Sequence, residues 1–88
     1  MIRNPQFIMR SVVDKQLIVP VEEAAKAYHG MLSVNTTGAF LWDLLAQDQT
    51  EDTLTDALTG KYKVAREIAL ADVRHFLAKL RKVGAIIE

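Results

Sequence analysis

Few side chains in this sequence could do chemistry, and those few do not converge. His29 and His75 are its two histidines. A protein metal site takes three or four donors at ligand spacing, and neither histidine has such neighbours along the chain. Glu22 and Glu23 could supply carboxylates for acid–base work, but no nucleophile or cofactor motif accompanies them, so they read as a solvated pair. Thr36 and Thr37 fall in the first turn of a helix, and Trp42 stands among leucines at helical spacing, as a core residue would. The absence of cysteine excludes disulfides, thiolate metal sites and cysteine nucleophiles. No residue set supplies a nucleophile, a base and an electrophilic stabiliser together. The sequence therefore predicts a protein that is not an enzyme, with no catalytic residues, metal or cofactor.

The segment "RHFLAKLRK" (Arg74 to Lys82) raises a different chemistry. Basic residues on a third helix, after a helical pair, suit DNA recognition. Charge argues against it: eleven lysines and arginines balance eleven acids, without the excess that nucleic-acid binding needs. Leu70, Arg74, Leu77 and Arg81 recur at i, i+4, i+7 and i+11 and so line one edge, with Lys79 and Lys82 pointing elsewhere. Two leucines mixed with two arginines fit a short apolar and acidic peptide better than a phosphate backbone.

The elements that must position these residues are short. Phe7 to Val13 and Leu17 to Val21 are β-branched runs joined by "DKQ", a tight hairpin, with Pro20 at a ladder position facing away from a partner or at the strand's end. "EEAAK" (Glu22 to Lys26) favours a turn or helical kink, and Ala27 to Val34 resumes extended structure with Gly30 marking a bulge or close approach. Asn35 caps a first helix whose inward stripe is Phe40, Leu41, Leu44 and Leu45, with Trp42 on its shoulder. Thr50 caps a second, bearing Leu54, Ala57, Leu58 and Tyr62 and ending near Gly60. A third runs from about Arg66 to Val83, with Ala69, Val73, Phe76, Leu77, Leu80 and Val83 inward and Gly84 as its stop. At 88 residues, half of them hydrophobic, this is one domain over residues 1–88. Its class is α+β, an antiparallel three-stranded sheet followed by three helices (β-β-β-α-α-α). The opening "MIRNPQF" is no signal peptide and no apolar run approaches a membrane span, so a soluble cytoplasmic protein is expected.

In this order and spacing, "RNPQF", "LIVPV", "GMLSVNTTGAFLWDLL", "YKV" and "ADVRHFLAKLRKVG" resemble the PqqD-like family, coenzyme PQQ synthesis protein D and its relatives. The resemblance covers nearly the whole chain. It implies a winged helix-turn-helix-like domain acting as the precursor-peptide recognition element for ribosomally made, post-translationally modified peptides. In such modules the leader adds as a strand beside the third strand, packs against the third helix, and is presented to a modifying enzyme, often a radical S-adenosylmethionine enzyme. Carried over, the strand role falls on Tyr28, His29, Met31, Leu32 and Ser33, and the helix role on Leu70, Arg74, Leu77 and Arg81. Ala65 stands where relatives carry Asp or Ser, so the third helix is expected to fray at its start, an absent cap costing about 1 kcal/mol. "VPVEEAAKAYHG" departs from true PQQ-pathway members and resembles the broader, stand-alone branch.

An open strand edge is a template for another strand. Added main-chain hydrogen bonds contribute about 0.5–1.5 kcal/mol each, against about 1–2 kcal/mol to order each peptide residue. Side-chain pockets must therefore decide affinity, and a disordered guest is expected to bind nearer micromolar than nanomolar. Two alternatives share the architecture: a winged-helix DNA-binding regulator, and an assembly subunit whose open strand pairs with its twin in a homodimer.

Overall fold

The computed structural model describes residues 1–27 and 31–88. Its elements are β1 (Ile2–Arg3), β2 (Phe7–Val12), β3 (Lys15–Pro20), α1 (Glu23–Ala27), β4 (Leu32–Val34), α2 (Thr36–Leu44), α3 (Glu51–Lys61), α4 (Arg66–Val83) and β5 (Ile86–Ile87). The expected α+β architecture stands: an antiparallel sheet in the order β2-β3-β4, with the three main helices behind it.

The hairpin turns on Val13 and Asp14, since Val12 pairs with Lys15. Val13 has φ 59°, unfavourable for a β-branched residue, and points into solvent. Pro20 ends β3 opposite Phe7, where its missing N–H costs no ladder bond to β2. "EEAAK" does kink helically, as the five-residue α1, and buries Ala24. The strand expected over Ala27 to Val34 does not begin at Ala27, which is the last residue of α1; among the described residues Leu32–Val34 pairs with β3. Tyr28, His29 and Gly30 lie outside the described residues.

Asn35 caps α2 by accepting from the Gly38 N–H at 2.8 Å. Trp42 is core as expected, at 2 % exposed, but it lies at the centre of the inward stripe and not on its shoulder, while Phe40 and Leu44 are half-buried. Its indole is held from outside by Arg3, stacked 5.5 Å from the ring centroid. Thr50 and Thr53 close a reciprocal capping box on α3, with Glu51 and Asp52 in its positive first turn. That helix runs one residue past Gly60. At the start of α4 Ala65 makes no side-chain cap, yet the first turn does not fray: its carbonyl accepts from Ile68 and Ala69 at 3.1 and 3.0 Å. Arg66, ion-paired with Asp52 and Asp56 of α3, ties that turn down. Gly84, left-handed at φ 80°, lets the Ala85 N–H reach the Leu80 carbonyl.

The core is one cluster from the sheet and all three main helices, centred on Ile18, Leu41, Trp42, Leu45, Leu54, Leu58, Val73, Leu77 and Leu80. The ribbon β1-β5 lies outside the sequence reading: Ile2 pairs with Ile87 and Arg3 with Ile86. Two residues a side are too few to show a period-2 pattern. No helix is long and apolar enough to cross a membrane among the described residues.

Candidate functional site

Hydrogen-bond alternation identifies which backbone groups of the sheet are free. A two-residue turn closes on a hydrogen-bonded pair, here Val12 with Lys15; the pairs then alternate, so Gln16 and Ile18 direct their N–H and C=O groups toward β4. On that side Gln16 bonds Val34 and Ile18 bonds Leu32, while Leu17 and Ser33 form the wide pair between them. Ser33 therefore turns both backbone groups away from β3, to the outer edge of β4. That edge has no strand beside it among the described residues.

Beside it lies a slot of about 360 Å3. Ser33, Val34 and Asn35 form its strand wall, Thr37, Gly38 and Leu41 of α2 its floor, and Asp72, His75, Phe76 and Lys79 of α4 its helix wall. Gly38 sets its depth. A Cβ there would come within 3.1 Å of the Phe76 ring and 3.3 Å of the Val34 Cβ, so a bare backbone lets α2 and α4 approach this closely. The welding of β4 onto α2 through the Asn35 cap fixes the strand wall against the floor.

Of the residues expected to bind, Leu32 and Ser33 occupy β4, with Leu32 half-buried against the core; Met31 precedes it and is 66 % exposed. Tyr28 and His29 lie outside the described residues. The helix edge is corrected. Leu77 is fully buried, because the core stripe of α4 is centred between Ala69 and Leu80 and takes in Leu77. Leu70 is half-buried, and Arg74 and Arg81 lie on the flank of α4 away from the slot, each already facing an acid. Arg74 Nε donates to Glu51 of α3 at 3.1 Å, and Arg81 Nε to Glu88 at 2.8 Å. The slot instead takes the opposite flank, Asp72, His75 and Lys79, with Phe76 at its root. Helical spacing reveals two flanks beside a core stripe; which one faces the strand depends on the packing of α4 against α2.

Electrostatics divides the same way. The Arg66 guanidinium is held further into its charged form by its hydrogen bond to Asp56, with Asp52 adding to it, and that cluster lies at α3. No group of three His, Cys, Asp or Glu side chains able to hold a metal lies among the described residues. A second groove, of about 610 Å3, runs between β2 and the far half of α2, lined by Ile2, Met9, Trp42 and Ile87 among others.

Two solved structures share this fold. One, described as TbiB1 in complex with the TbiA(beta) leader peptide, superposes with a TM-score of 0.74 at 19 % identity, covering 97 % of this chain and 93 % of that one. Another, lasso peptide synthetase B1 complexed with the leader peptide, gives 0.73 at 16 % identity, covering 98 % and 95 %. Among curated protein sequences none matches the chain. The family model described as coenzyme PQQ synthesis protein D matches residues 17–86, which takes in β4, the slot and all three main helices. The chain belongs to the PqqD family.

Proposed function

We propose that the domain is a non-catalytic peptide-binding module of the cytoplasm, which captures the leader of a ribosomally made precursor by strand addition and presents it to a modifying enzyme. The radical S-adenosylmethionine class is the first candidate for that enzyme. The observation that carries this reading is the free edge of β4, with the Ser33 backbone groups turned outward beside a slot. Family membership and a fold shared with two leader-peptide complexes support it.

The energetics suit a modest binder. Ser33 offers two main-chain hydrogen bonds, each about 0.5–1.5 kcal/mol. Two guest side chains burying about 100 Å2 each in the slot add about 5 kcal/mol. The sum, about 6–8 kcal/mol before the guest is ordered, corresponds to micromolar affinity or weaker. The proposed contact residues are Met31, Leu32 and Ser33 on the strand side, continuing through Tyr28 and His29, with Phe76 and its neighbours on the helix side. Leu70, Arg74, Leu77 and Arg81 drop out of the contact set.

A DNA-reading role is disfavoured by the zero net charge and by the arginines of α4: Arg66, Arg74 and Arg81 each face a carboxylate, so they are not free to meet a phosphate backbone. The free edge would equally accept a twin strand, so homodimerisation through β4 would compete with the leader. Calorimetric titration with the leader of a short precursor encoded beside this gene tests the reading. A micromolar Kd for a monomeric domain supports it, and absence of binding to that leader and to any peptide selected from a random library defeats it.

A further inference from the structure

Helix α4 carries charge on both flanks, and the two are treated differently. On the flank facing α3 and the chain's C-terminal end, Arg66, Arg74 and Arg81 are each met by an acid of the same molecule. On the slot flank Asp72 and Lys79 are exposed and form no ion pair among the described residues. At 100° per residue, Asp72, His75 and Lys79 fall within about 60° of one another, a single row. Asp72 and Lys79 are seven residues apart, about 10.5 Å along the axis, too far to neutralise each other. The strand wall and floor bring no charge: Ser33, Val34, Asn35, Thr37, Gly38 and Leu41 are all uncharged. Any charge sensed in the slot is therefore sensed by α4, with one sign at each end of the row.

An extended guest lying on β4 shows the side chains of one face every second residue, about 6.7 Å apart, so that a spacing of two or four residues brackets the row. We propose that the Asp72–His75–Lys79 row reads charge order. It selects extended segments that present an acidic side chain to Lys79 and a basic one to Asp72, two or four residues apart on the same face, around the apolar side chain that enters the slot. This rests on the peptide-docking reading and sharpens its guest: locally zwitterionic, where the sequence pattern suggested an acidic one. His75, midway, offers an imidazole that can hydrogen-bond the polar groups between the two charges. Because these pairs are solvent-exposed, they act mainly on choice and orientation, and reversing one guest charge is expected to weaken binding about 3- to 10-fold, less at high salt.

The test is a display selection of random 12-residue peptides on the full chain and on its Lys79→Glu, Asp72→Lys and Arg74→Glu variants, each checked for folding by circular dichroism. The wild type should enrich one acidic and one basic position at fixed spacing about an apolar one. Lys79→Glu should turn the enriched acid into a base and leave the apolar position in place; Asp72→Lys should turn the base into an acid; Arg74→Glu should change neither. An apolar consensus without charge bias, or one that Lys79→Glu leaves unaltered, overturns charge reading while sparing the docking site. Failure to enrich any peptide overturns the docking site, and charge reading falls with it.

Discussion

Replacing Ser33 with proline separates binding from folding at a single backbone position. In β4 the Leu32 N–H is spent on Ile18 inside the sheet, while that of Ser33 faces outward. Proline at 33 thus removes a donor that the fold does not use, on an edge strand where proline is tolerated, after a residue already extended. To a guest strand the change is larger. It loses one main-chain bond worth about 0.5–1.5 kcal/mol, and the ring methylenes stand where its carbonyl must sit, so the adjoining bond weakens too. The combined loss, about 1–3 kcal/mol, is a fall in affinity of about 5- to 150-fold. Leu32→Pro is the contrast: it strips the ladder and strands the Ile18 carbonyl, costing stability itself by about 1–3 kcal/mol. The assays are fluorescence anisotropy with a labelled peptide selected on the wild type, and urea unfolding of both variants. A Ser33→Pro protein that is as stable as the wild type and binds as tightly would refute strand addition at β4. One that unfolds as readily as Leu32→Pro would refute the assigned alternation.

Three further outcomes follow from the packing. Val13→Gly, which relieves a β-branched residue at φ 59°, should raise stability by about 1 kcal/mol and Tm by about 4–8 °C in calorimetry. Gly38→Ala gains about 1 kcal/mol of helix propensity but presses a methyl against the Phe76 ring, so thermal stability should change little while peptide affinity falls as the slot floor rises. Leu77→Asp buries a charge in the core and should abolish cooperative unfolding, whereas Arg74→Glu, facing Glu51 on the surface, should cost at most about 1 kcal/mol and leave peptide affinity unchanged.

The helices were legible because their signals are local. Asn35 and Thr50 cap where a side-chain oxygen precedes an apolar run, Gly84 stops α4 in the left-handed region, and Arg66 to Val83 bounds that helix as the structure does. The hairpin was legible as such, but its turn falls on Val13 and Asp14 and not on "DKQ", since Lys15 and Gln16 already pair with β2. What escaped depends on partners far along the chain. The ribbon of Ile2 and Arg3 with Ile86 and Ile87 joins the two ends of the chain through two pairs. That Trp42 is core was legible from its place among leucines; that Arg3 stacks on its ring was not, because Arg3 lies 39 residues away. The geometry of the candidate site was legible in part. Its strand side follows from Ser33 lying in a short alternating run. Its helix side was read onto Leu70, Arg74, Leu77 and Arg81, of which Leu77 is buried and the two arginines lie on the flank of α4 away from the slot, since acids at Glu51 and Glu88 meet them only in three dimensions.

The central claim concerns one amide. Hydrogen exchange followed by NMR on the domain, free and with a selected peptide, reads it directly. In the free monomer the Ser33 amide should exchange fast while those of Leu32 and Val34 are protected, and the peptide should protect Ser33. A Ser33 amide already protected in the free monomer, or peptide-induced protection appearing at Met9 and Ser11 of β2 while Ser33 stays open, would contradict it.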